Sequence, residues 1–140
     1  YNLLNAKGFA LEVGAQDQDR MRTVYQYVEN NFQEQISLDE MAGKVSMTVP
    51  AFCRYFKKLT SKTFTQFVNE FRIAHACRLL GDEHMSIGAV SFDSGFNNLS
   101  HFNKQFRLVA GTSPSNYRKN LKKLVDSTNL EQQKKGEQKI

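Results

Sequence analysis

The sequence predicts an all-α fold of about seven helices in two subdomains, and three observations carry that prediction. Apolar residues recur at i, i+3, i+4 and i+7 in successive windows, the period of a helix with one buried face. Residues that cap helices (Ser, Thr, Asn, Asp) stand directly before those windows. Only Pro50 and Pro114 interrupt the 140 residues, which favours helices over many short strands.

The elements follow in order. Residues 1–16 are mildly apolar (Leu3, Leu4, Phe9, Leu11, Val13), contain Gly8 and Gly14, and read as a linker or the end of a preceding domain. Asp19 is the expected cap of a first helix whose stripe is Met21, Val24, Tyr25, Val28 and Phe32. Ser37, with Glu40 three residues on, forms a capping-box pattern before a short second helix buried through Leu38, Met41, Ala42 and Val45. Ser46-Met47 make a turn. Thr48 caps a third helix with Pro50 in its first turn, where the missing N–H costs nothing. Phe52, Tyr55, Phe56 and Leu59 form its inner face and leave Ala51, Arg54, Lys57 and Lys58 outside, with Cys53 near the edge. Thr63 begins a longer helix reaching Leu80. Its apolar positions (Phe64, Phe67, Val68, Phe71, then Ala74, Ala76, Cys77, Leu79, Leu80) drift around the axis, as a helix serving one body at each end requires. Ser86 opens a short fifth helix through Ile87, Ala89 and Val90. Gly95-Phe96 turn the chain, and Asn98 caps a sixth helix expected to carry Phe102, Phe106 and Val109 inward. Gly111 is the expected stop. Ser113 and Pro114 start a seventh helix with Tyr117 on its buried side. Past Leu124 the chain turns polar and repetitive, so fraying or disorder is expected there.

The second half repeats the first. Ser37 and Ser86 are 49 apart, as are Leu38 and Ile87, Met41 and Val90, and Ala42 and Ser91. After the turn the offset is 50: Thr48 with Asn98, Phe52 with Phe102, Arg54 with Lys104, Phe56 with Phe106, Lys57 with Arg107, Phe67 with Tyr117. Caps, aromatics and bases match in one register, with one extra residue in the second turn. Each repeat is a short helix, a tight turn and a second helix with a basic outer face, the helix-turn-helix pattern. A small residue (Ala42, Ser91) four positions before the turn lets the two helices approach.

Charge is segregated along the chain. Residues 17–45 carry six acids and three bases. Residues 46–62 carry Arg54, Lys57, Lys58 and Lys62 and no acid; residues 95–120 carry Lys104, Arg107, Arg118 and Lys119 and no acid. With a net charge of +5, two acid-free segments point to one polyanionic partner met at two places. The competing reading is a helical protein-interaction module that binds an acidic partner. Catalytic and metal chemistry find no support. His75, His84 and His101 lack metal-ligand spacing with Cys53 and Cys77, no nucleophile elbow links Ser, His and Asp, and no glycine-rich phosphate loop occurs. No cofactor and no enzyme activity are expected. Cys53 beside Arg54 reads as a half-buried side chain rather than a redox thiol. The cysteines have no disulfide framework, which fits a reducing compartment, and no apolar run spans a membrane. The aromatic pairs Phe52/Phe56, Phe67/Phe71 and Phe102/Phe106, at i, i+4, read as core rather than as a base-stacking surface.

The stretch Gly95-Phe96-Asn97-Asn98-Leu99-Ser100-His101-Phe102-Asn103-Lys104-Gln105-Phe106, with Gly111-Thr112-Ser113-Pro114-Ser115-Asn116-Tyr117-Arg118, resembles the signature of the AraC/XylS family of bacterial regulators. Phe56-Lys57-Lys58 and residues 72–80 resemble its first half, so the resemblance covers roughly Asp19 to Lys122. Ser61 stands where the family usually has glycine. The resemblance implies a cytoplasmic, nucleoid-associated transcription regulator that binds double-stranded DNA and meets RNA polymerase. It also implies a separate sensor domain, through which any effector acts. On that basis residues 1–17 are a linker or remnant of the sensor domain, 18–63 and 81–123 the two helix-turn-helix subdomains, 64–80 the connecting helix, and 124–140 a basic tail.

The second helix of each unit is the one expected in the major groove. The groove-facing sets are then Pro50, Ala51, Cys53 and Arg54 in the first unit and Ser100, His101, Asn103 and Lys104 in the second. Arg54 is foremost, because arginine reads guanine with two hydrogen bonds. Thr48, Lys57, Asn98, Arg107 and Arg118 are the expected phosphate contacts.

Overall fold

The computed structural model describes residues 14–138, with side chains through residue 133. Residues 1–13, most of the expected linker, lie outside the described residues. Seven helices and no strand occur among the described residues: α1 (Ala15–Asn31), α2 (Leu38–Lys44), α3 (Val49–Thr60), α4 (Phe64–Leu79), α5 (Ile87–Asp93), α6 (Leu99–Ala110) and α7 (Pro114–Gln138). The all-α expectation holds.

The chain divides into two units, and the boundary between Phe71 and Arg72 falls inside α4. In the first unit α1 contributes Met21, Val24, Tyr27 and Val28 with Phe32 just past its end, and α2 contributes Met41 and Ala42 with Val45 just past its end. Phe52 and Phe56 of α3 meet Phe64, Phe67 and Val68 of α4. Phe56 packs edge-on against Phe64 and Phe67, with ring centres 5.5 and 5.4 Å away. In the second unit Ile73, Ala76 and Leu80 surround Val90, Phe96, Phe102 and Phe106. The stripe on α4 thus rotates from one core to the other, as its drift predicts. Ile73 carries the second core, however, and Ala74 is exposed.

The cap residues act as read, with one correction. Ser37 Oγ accepts from the Glu40 amide, Thr48 Oγ1 from Ala51, Ser86 Oγ from Ala89, and Asn98 Oδ1 from His101. Thr63 and Gln66 cap α4 reciprocally, each side chain accepting from the other's amide. Asp19 is not a cap: α1 begins four residues earlier, at Ala15 after Gly14, and Asp19 instead pairs with Arg22 at 3.0 Å. Glu40 serves a further purpose, its carboxylate accepting from the Tyr27 hydroxyl at 3.2 Å.

Both helix-turn-helix turns are the same motif. The Met47 amide donates to the Ala42 carbonyl and Ser46 to Gly43; in the repeat, Phe96 donates to Ser91 and Gly95 to Phe92. This is the Schellman arrangement, which needs a left-handed residue just past the helix. Ser46 (φ 60°) and Gly95 (φ 96°) supply it. Ala42 and Ser91 are buried beside these turns, where a larger side chain would not fit.

Two departures concern apolar and polar ends. Val109 is exposed rather than inward: at i+3 from Phe106 it shares the aromatic side of α6, but it stands in the last turn, next to the helix end at Ala110. The segment after Leu124, expected to fray or be disordered, continues α7 to Gln138. Lys, Leu, Gln and Glu are good helix formers and dominate it.

Candidate nucleic-acid interface

The outer faces of α3 and α6 are set by the same arithmetic. Phe52 and Phe56 point inward on α3, and residues at i, i+4, i+7 from Pro50 (Pro50, Arg54, Lys57) occupy the opposite side. All three are exposed. On α6 Phe102 and Phe106 are fully buried, and Ser100, Lys104 and Arg107 form the equivalent exposed stripe. Ala51 and Cys53 flank the first stripe and are half-buried. Cys53 is half-buried and lines a cleft of about 330 Å³ with Leu38, Arg54, Lys57 and the start of α4. His101 is exposed, with its ring 5.6 Å from that of Phe96, and Asn103 is half-buried. Thr48 and Asn98 sit exposed at the N-terminal ends of the two helices, where unsatisfied amides and the helix dipole favour an anion.

The bases of the acid-free segments are not equivalent. Lys62 pairs with Glu70 at 2.7 Å, an acid contributed from α4. Arg118 is half-buried and turned inward: its Nε donates to the Leu80 carbonyl at 3.1 Å and its Nη2 to the Asp82 carbonyl at 3.2 Å. Two of its five N–H groups are thereby committed to the chain that leaves α4. The remaining bases, Arg54, Lys57, Lys58, Lys104, Arg107 and Lys119, are exposed and have no acid partner among the described residues. Lys58, which stands beside Lys57 on the same side of α3, is an addition to the expected set; its exposed position at i+4 from Arg54 was the available signal. By contrast α1 neutralises itself, with Arg20 near Asp17 and Arg22 on Asp19.

Three contacts of aromatic residues support this surface. The half-buried Arg72 lies over the Phe96 ring at 5.8 Å, and burial lowers its guanidinium pKa from the usual value. The hydroxyl of Tyr55 donates to Asp17. Tyr117 packs edge-on against Phe106, ring centres 5.6 Å apart. No group of His, Cys, Asp and Glu among the described residues is placed to hold a metal ion. No helix among them is long and apolar enough to cross a membrane.

Comparison with known proteins agrees with this geometry. Residues 41–120 match the family model described as a helix-turn-helix domain. The HTH-type transcriptional regulator YdeC of Bacillus subtilis is 29% identical over 119 residues, 83% of this chain and 41% of its own length. The regulator YdiP of Escherichia coli is 31% identical over 96 residues, 69% of this chain and 32% of its own. The chain thus spans well under half the length of these relatives. Among solved structures, the DNA-binding domain of the global transcriptional factor AdpA, in complex with a target DNA, superposes with a TM-score of 0.64 and 28% identity. That match covers 72% of this chain and 90% of the other. An AraC-type regulator from Chromobacterium violaceum gives 0.67 and 25%, covering 75% and 94%. A matched model over more than half the chain, two helix-turn-helix units in register and relatives that are transcriptional regulators lead to one conclusion: the chain belongs to the AraC/XylS family and carries its helix-turn-helix DNA-binding domain.

Proposed function

We propose that α3 and α6 enter successive major grooves of one DNA duplex and read its sequence, and that the chain thereby regulates bacterial transcription. The observation that carries this reading is the set of five exposed bases without acid partners on the outer faces of α3 and α6, of which Arg54/Lys104 and Lys57/Arg107 are matched in the repeat, with Lys119 of α7 as a sixth. Base edges are read by Pro50, Ala51, Cys53 and Arg54 in the first unit and by Ser100, His101, Asn103 and Lys104 in the second. Phosphates are met by Lys57, Arg107 and the helix starts at Thr48 and Asn98, joined by Lys58 and Lys119. Arg118 has three donors left for phosphate beyond its two structural bonds, so its role is divided. The reading needs no catalysis. It places the chain at the nucleoid in the cytoplasm, with RNA polymerase as the protein partner and any effector acting through a part of the protein outside this segment.

Two reading helices on one chain call for an asymmetric site with two contacted segments about 10 base pairs apart. Selection from a random duplex pool, followed by footprinting, tests this directly. Binding of the second unit is intramolecular once the first has docked, which raises its effective concentration. Five inserted base pairs, about half a helical turn, should therefore reduce affinity towards that of one unit. A palindrome, or equal binding of the spacer variant, would reject the two-groove reading. A helical interaction module would show no tight duplex binding at moderate salt.

A further inference from the structure

The buried side of α3 holds the helix to its unit, but the aim of its outer face depends on how the helix is rolled about its own axis. A roll of about 20° carries a side-chain tip at the 5–6 Å helix surface through about 2 Å. That displacement is large against the roughly 0.5 Å tolerance of a working binding constellation.

One contact opposes such a roll from the side. Tyr55 follows Arg54 on α3, between the buried arc and the basic stripe. Its hydroxyl donates a 2.5 Å hydrogen bond to Asp17 Oδ1, 38 residues upstream in the first turn of α1. Arg20, one turn further along α1, closes the set. Its guanidinium lies 5.4 Å from the centre of the Tyr55 ring, and its Nη1 is 3.8 Å from Asp17 Oδ1. All three side chains are partly shielded from water, which strengthens contacts between charges and dipoles. Burial and the hydrogen bond to Asp17 push the Tyr55 hydroxyl up to about 12, so it remains a donor throughout the neutral range.

We propose that Asp17 and Arg20, acting through Tyr55, are positioning residues for DNA reading: they set the roll of α3 and thereby aim Arg54 and Lys57. The proposal rests on the reading of α3 as a groove helix. Asp17 and Arg20 lie before residues 41–120, the span matched by the helix-turn-helix model, so the reading surface of this chain depends on residues outside that span. The equivalent position on α6 is Gln105, which cannot reproduce the phenol's contact.

The test uses the 140-residue chain with Tyr55→Phe, which keeps the ring under Arg20 and removes the donor, and Asp17→Ala, which removes the acceptor. In free protein, both variants should shift the amide resonances of residues 54–58 while those of residues 73–80 stay in place. On the selected duplex, each should lose about tenfold in affinity. Discrimination between the parent site and single-base variants should shrink in the first segment and persist in the second. The double variant should be no worse than Asp17→Ala alone, because that change already removes the acceptor of the Tyr55 hydroxyl. A merely structural role would lower the denaturation midpoint and leave the discrimination ratio intact. Resonance shifts confined to residues 15–20 and 55, with unchanged discrimination, would overturn the proposal. Shifts along α3 in a protein that binds no duplex would keep the lock on α3 and reject the groove reading instead.

Discussion

Two serines occupy backbone positions that favour glycine. Ser46 and Ser61 have φ of 60° and 63°, and their partners in the second repeat are Gly95 and Gly111 at 96° and 79°. A side chain in the left-handed region costs about 1–2 kcal/mol, partly offset because glycine orders more chain entropy on folding. Ser61→Gly, at an exposed site that closes α3, should therefore raise stability by about 0.5–1 kcal/mol, read as a higher urea midpoint at unchanged slope. Arg54 and Lys57 separate a different pair of effects. Arg54→Ala should cost about 1–3 kcal/mol on the preferred site and relax preference at one or two base pairs. Lys57→Ala should weaken all sequences about equally, since phosphate contacts carry no base information. Competition binding with site variants measures both, and loss without altered preference in both would make Arg54 a phosphate contact. Ser94 is another buried oddity: its Oγ has no hydrogen-bond partner among the described residues, where the first repeat places Val45.

The helices differ in what holds them. α2 and α5 have seven residues each, too few to persist alone, and depend on a serine cap, a Schellman end and burial of one face. α4 needs both cores, since its stripe serves first Phe56 and then Phe102 and Phe106 through separate residues. α1 and α3 share the Tyr55 contact, and this has a measurable pH signature. The phenol is raised from 10.0 to about 12 by burial first and by Asp17 second. A raised folded value means the neutral phenol is favoured by folding. Its stabilisation is complete below pH 10 and is lost as the pH climbs through about 12. Tyr55→Phe should flatten the decline of the urea midpoint across that window. A decline as steep as in the parent would assign the alkaline loss to other groups.

At the scale of the whole chain, the net charge of +5 understates the interface. Acids are concentrated in residues 17–45, where Asp17 and Asp19 neutralise their own helix, and the exposed bases without acid partners gather on the two reading units. If those six bases each displace a counterion, the logarithm of duplex affinity should fall against the logarithm of salt with a slope of about −5. Titrations across a range of salt concentrations give this slope, and a value near zero would remove the proposed surface. Lys62→Ala should leave the slope unchanged, since its charge is already spent on Glu70.

Local rules determined most of this architecture. Seven helices, six of their starts, both tight turns and the inward aromatics follow from interactions within about four residues, which leave a period and a cap in the amino-acid order. The two repeats made the basic stripes of α3 and α6 legible before any folding was considered. Asp19 shows the limit of cap reading, because α1 extends one turn past it without any side-chain cap. What the order of residues could not show are the ties between distant positions. Lys62 pairs with Glu70, Arg118 turns to carbonyls 36 and 38 residues away, and Tyr55 reaches Asp17 across a similar separation. A charge or hydroxyl carries no periodic mark of its partner. Only when the cores bring those segments together does distance decide which bases remain free for DNA and which hold the fold.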